Sequence, residues 1–100
     1  MSVDTTVTPE PRFIIAISGG KHVFLRWSDV VEYDSLITTL YRHFGNELPR
    51  DKENIVVQTN DLDICLGIFI DIPSELWGDI SAQISRIRVV NKWSSEYKRR

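Results

Sequence analysis

Two apolar runs meet at a pair of glycines near the start of the chain, RFIIAIS (12–18), Gly19-Gly20 and then HVFLRW (22–27). β-Branched and aromatic residues on both sides of a Gly-Gly step read as two strands closed by a tight turn, because glycine adopts the positive φ that such turns require. Phe13, Ile15 and Ile17 fall on one face of this hairpin and Val23, Leu25 and Trp27 on another, while Ile14 and Phe24 leave the opposite faces apolar as well. A hairpin of this kind is marginal alone and needs further layers to cover it.

The next residues supply one. Val30, Tyr33, Ile37, Leu40, Tyr41 and Phe44 recur at helical spacing. Ser28 and Asp29 offer N-cap oxygens, Asp29 and Glu32 stand at capping-box spacing, and Asp34 is a second cap for a shorter helix. Gly45 is the expected stop. After a polar loop at 46–54 come two more strand-like runs, IVVQT (55–59) and ICLGIFI (64–70), joined through Asn60, Asp61, Leu62 and Asp63. Asn and Asp tolerate turn backbone, so this reads as a second hairpin. Pro73 opens a short helix over 72–84, with Asp71 as its cap and Leu76, Trp77, Ile80 and Ile84 on its buried side; Gly78 weakens it by about 1 kcal/mol. RIRVVNK (86–92) closes the order as a strand with Ile87 and Val89 on one face. The expected class is α+β in the order ββαββαβ, a mixed sheet of four to five strands with one long and one short helix.

One hundred residues of which 42% are apolar form one core rather than two. The expected organisation is a flexible N-terminal lead at 1–11 containing Pro9 and Pro11, a folded domain at 12–93 and a basic tail at 94–100. No apolar run reaches the roughly 18 residues of a membrane helix and the N-terminus lacks a signal-peptide pattern, so the chain is expected to work inside the cell, in cytoplasm or nucleus, without a membrane partner. The lone cysteine, Cys65, has no internal disulfide partner and reads as a core thiol on an apolar strand.

Charge is segregated. From Glu53 to Asp79 there are six carboxylates (Glu53, Asp61, Asp63, Asp71, Glu75, Asp79) and no Lys or Arg; from Ile80 to Arg100 there are six basic residues (Arg86, Arg88, Lys92, Lys98, Arg99, Arg100) and one Glu. Such runs are solvated faces or complementary binding surfaces. The carboxylates do not form a calcium loop: counting from Asp61, the sixth residue is Leu66 where Gly belongs and the twelfth is Ile72 where Glu belongs. Carboxylates on a turn do not provide the paired, unequal acids of a hydrolase. His22 and His43 are far apart and lack the close-spaced partners of a zinc site. His43 suits the end of its helix. Ser18-Gly19-Gly20-Lys21 lacks the spacing of a phosphate loop. Neither catalysis, nor a cofactor or metal, nor a small-molecule substrate is expected. Trp27, Trp77 and Trp93 read as core or interface anchors.

The element order, with its Gly-rich first hairpin, single long helix and final C-terminal strand, resembles the ubiquitin-like or β-grasp family over residues 12–93. The resemblance implies a mixed sheet with the first and last strands paired in parallel at its centre. The covalent modifiers of that family end in Gly-Gly, whereas this chain ends Lys98-Arg99-Arg100, so an interaction module is the expectation rather than a modifier. Asn60-Asp61-Leu62-Asp63 followed by Asp71, Glu75 and Asp79 is similar to the acidic motif of Phox-and-Bem-type domains, departing from it where Ile64 and Cys65 replace Gly and Asp, and Arg12 stands where the basic class carries Lys. This resemblance implies a protein partner, which includes a second copy of the chain, met by Asp61, Asp63, Asp71, Glu75 and Asp79 on one surface and by Arg12, Lys21, Arg26, Arg86 and Arg88 on another. Two alternatives stand beside it: a Ras-binding type domain using Lys21 and Arg26 on a small GTPase, and nucleic-acid contact through the basic C-terminal stretch.

Overall fold

The computed structural model describes residues 12–94; the N-terminal lead and most of the basic tail, with Lys98 to Arg100, lie outside the described residues. Strands β1 (Phe13–Ser18) and β2 (Lys21–Arg26) form the first hairpin around Gly19 and Gly20, whose φ values of 54° and 88° are the left-handed geometry that two-residue turns require. Helix α1 (Tyr33–Phe44), strand β3 (Ile55–Thr59), the two-residue strand β4 (Ile70–Asp71), helix α2 (Trp77–Ser81) and strand β5 (Arg86–Asn91) follow.

The five strands make one mixed sheet in the order β2-β1-β5-β3-β4. β1 and β5 run parallel at its centre, with Ala16 opposite Ile87, and the other neighbours are antiparallel. Alternate strand residues point to one side. On that side Ile14, Ala16, Leu25, Val57, Ile87 and Val89 are buried against Leu36, Ile37, Leu40 and Phe44 of α1 and Trp77 of α2. The class is therefore α+β with a five-stranded mixed sheet and two helices.

Three local expectations are corrected. The long helix begins at Tyr33, after a 3-10 turn at Trp27–Asp29, and the Asp29–Glu32 capping box does not form. Val30 is fully buried with φ −130° and its carbonyl is taken by the Trp77 indole, so the chain is pinned there before the first helical bond, Leu36 N–H to Glu32 C=O. The α-helix does end at Gly45 as expected, its C-cap lying in right-handed backbone that leads into a 3-10 turn at Gly45–Glu47.

The run 64–70 is not a strand. Asp63–Cys65 is a 3-10 turn, Leu66 and Gly67 have φ of 55° and 79°, and only Ile70 and Asp71 pair with β3. Two successive left-handed residues reverse the chain, which a strand cannot do. Cys65 is buried as expected but sits on this turn, its Sγ 3.6 Å from the Thr59 carbonyl. Asp71 is accordingly a strand residue and not the cap of α2, which starts at Trp77 after a 3-10 turn at Ser74–Leu76.

Candidate functional site

The pairing of β3 with β5 sets Gln58 opposite Arg88 and brings the acidic and basic segments of the sequence side by side. Gln58 is fully buried, and both ends of its amide are satisfied: Nε2 donates to Asp71 Oδ1 at 2.8 Å, and Oε1 accepts from Arg88 Nε at 3.0 Å and Nη2 at 2.8 Å. The Arg88 guanidinium lies 4.1 Å from the centre of the Phe69 ring, a cation–π contact that holds the outer loop onto the sheet. Asp61 is engaged in a similar way. Its Oδ2 accepts the Ser85 backbone N–H at 2.6 Å and its Oδ1 stands 3.8 Å from Arg86 Nη1. Asp61, Asp71, Arg86 and Arg88 are thus brought together within one molecule.

Two further basic residues also have internal partners. Arg12 donates to the carbonyls of Ser81 at 3.1 Å and Ile84 at 2.6 Å while stacking 4.5 Å over Trp27. These acceptors include the C-terminal end of α2, where cationic donors are favourable. Lys21 Nζ donates to the His43 carbonyl near the end of α1 and lies 5.6 Å from the centre of the Phe44 ring. Asp63, Glu75, Asp79 and Arg26 are exposed, on separate elements. The charge pattern alone could not show which residues stay free for a partner, since that depends on strand register.

The loop preceding β4 carries the most exposed large aliphatic side chains among the described residues. Ile64, Leu66 and Ile68 are 82%, 83% and 63% exposed. The loop is braced by backbone bonds from Cys65 N–H to Leu62 C=O, Leu66 N–H to Asp63 C=O and Ile68 N–H to Cys65 C=O. Leu66 pays twice: its side chain is in water, and its φ of 55° and ψ of 36° lie in the left-handed region that disfavours a branched residue with a Cβ. Sequence reading missed this site because an apolar run of seven residues looks like a half-buried strand. The signal within it is Gly67, which interrupts the run.

Trp77 is a core anchor, and Trp93 is exposed just past β5 with the Lys92 ammonium 5.7 Å from its ring. His22 and His43 are exposed on different elements, and among the described residues no group of three or more His, Cys, Asp or Glu could hold a metal ion. Tyr33 has a phenol pKa raised above its ordinary value, first by burial and then by the adjacent Asp34 carboxylate.

Fold and surface together define a small α+β protein with a five-stranded mixed sheet, Asp61 and Asp71 engaged internally beside Arg86 and Arg88, and an aliphatic loop braced by backbone bonds. Comparison with protein-family models, with curated proteins and with solved structures returned no match. No helix among the described residues is long and apolar enough to cross a membrane.

Proposed function

We propose that the chain is a ubiquitin-like, β-grasp domain that acts as a non-catalytic interaction module and docks on another protein through the loop carrying Ile64, Leu66 and Ile68. The order ββαββαβ and the parallel pairing of β1 with β5 support the family reading. The observation that carries the functional reading is Leu66, which is both solvent-exposed and held in left-handed backbone where Asn or Gly would be less strained. Aliphatic side chains presented on a braced loop gain area on association without a large ordering cost. Asp63, in the same loop, gives the patch a carboxylate that favours a basic partner.

Two measurements test this on the full chain and on a variant carrying Ile64→Ser and Leu66→Ser. In light scattering over a concentration series, growth in mass that the variant abolishes means the partner is a second copy. Growth reversed by salt but indifferent to the variant assigns self-association to the charged surfaces instead. Where the chain stays monomeric, immobilised wild type and variant are compared for proteins retained from cell extract. Identical retention by both removes the loop from the interaction.

A further inference from the structure

A second surface lies at the opposite end of β3. β4 covers that strand only at Gln58 and Thr59, with one further bond from Ile72 N–H to the Val57 carbonyl at 2.7 Å. Among the described residues Ile55 and Val56 pair with β5 alone; the Lys92 N–H bond to the Asn54 carbonyl turns the Val56 backbone toward β5, so the open edge of β3 is the N–H and C=O of Ile55. This edge lines a groove of about 790 Å³ together with the start of α1 and the segment connecting β4 to α2. Ile55, Val56, Val57 and Ile72 are its apolar lining, and Glu32, Asp34, Glu53, Asp71 and Glu75 also line it against one cation, Lys52.

Glu32 and Asp34 have an internal explanation, since carboxylates at the start of α1 oppose its dipole. Glu53 and Glu75 sit on three-residue 3-10 turns with little dipole to oppose, and both line the groove. An apolar lining next to an open strand edge, with five carboxylates against one cation, fits one kind of occupant. We propose that the groove takes an extended polypeptide segment of a partner protein that carries Lys or Arg at alternate positions, pairing with the N–H and C=O of Ile55 and setting its cations beside Glu53 and Glu75. Adding a strand to an exposed edge supplies backbone pairing, and the side chains on one face of the incoming strand supply the choice of partner. The rim charges give selectivity for a basic segment. This site is distinct from the aliphatic loop, so either can fail without the other.

The probe is a fluorescein-labelled, capped nonapeptide alternating Arg with Val, titrated with the full chain and followed by anisotropy. The expected result is saturable binding that falls about tenfold when Glu53→Lys and Glu75→Lys replace two attractive rim contacts by repulsive ones. Binding should survive Ile64→Ser with Leu66→Ser, and should be lost when alternate peptide bonds of the probe are N-methylated. Both acidic positions are exposed, and a thermal melt confirms that the reversed variant is folded. Absence of saturable binding, equal binding by the reversed variant, or equal binding of the N-methylated probe each overturns the proposal. A dimer of the chain that dissociates as the probe binds also overturns it, by assigning the groove to a second copy.

Discussion

The indole N–H of Trp77 donates to the carbonyl of Val30 at 2.8 Å, joining α2 to the turn before α1 across 47 positions of sequence. Both residues are buried, so neither partner has water as a substitute. Trp77 also meets Tyr33 edge to face, with ring centres 6.5 Å apart. This contact decides where α1 begins and holds the five-residue α2, which is too short to be stable alone. Trp77→Phe keeps most of the apolar contact and leaves the Val30 carbonyl unpaired, for an expected loss of about 1–3 kcal/mol; Trp77→Ala adds a cavity and costs about 3–5 kcal/mol. Chemical denaturation midpoints of the two variants measure the difference.

Asp61 reads in the sequence as a docking carboxylate and in the structure as the acceptor for the Ser85 N–H. Asp61→Ala leaves that N–H without its acceptor and is expected to lose about 1–2 kcal/mol. Asp61→Asn retains an oxygen and should lose less than half as much. Asp63→Ala, at an exposed position, should stay within about 0.5 kcal/mol of wild type. Equal denaturation midpoints for Asp61→Ala and Asp63→Ala would remove the structural role of Asp61.

Leu66 supplies a test in the opposite direction. Replacing it by Asn relieves left-handed strain and removes an exposed aliphatic side chain, so stability should rise by about 0.5–1 kcal/mol while partner retention falls. A gain in stability with unchanged retention would confine Leu66 to a local backbone effect.

Tyr33 gives the expected pH dependence. Its folded-state pKa lies above the ordinary 10.0 because burial, and secondarily the Asp34 charge, oppose the phenolate. Below pH 10.0 both folded and unfolded states keep the proton and its contribution is fully present. As pH rises further the unfolded chain ionises first, and stability is lost until the folded phenol titrates as well. Tyr33→Phe should flatten this alkaline decline, measured as denaturation midpoints over the pH series. An identical decline in wild type and variant would assign it to other groups.

The Cys65 thiol is buried against the Thr59 carbonyl, so a thiol reagent should label the folded chain slowly and the denatured chain at once. Labelling that slows in step with added stability identifies opening of the loop as the limiting event. Rapid labelling of the native chain would mean that the turn does not shield the thiol.

The sequence determined the elements whose signals are local. Gly19-Gly20 specified the first hairpin because few other residues tolerate its backbone. The spacing of Ile37, Leu40 and Phe44 specified the buried stripe of α1, and the alternation of Ile87 and Val89 specified the inner face of β5. Tertiary structure decided the rest, because those outcomes depend on groups distant in the chain. Val30 could cap or precede a helix until Trp77 took its carbonyl. The run 64–70 has strand composition, but its left-handed Leu66 and Gly67 turn three aliphatic side chains to water. Acidic and basic segments that look like opposed surfaces become partly internal partners once β3 pairs with β5, since register, not sequence distance, sets which charges meet.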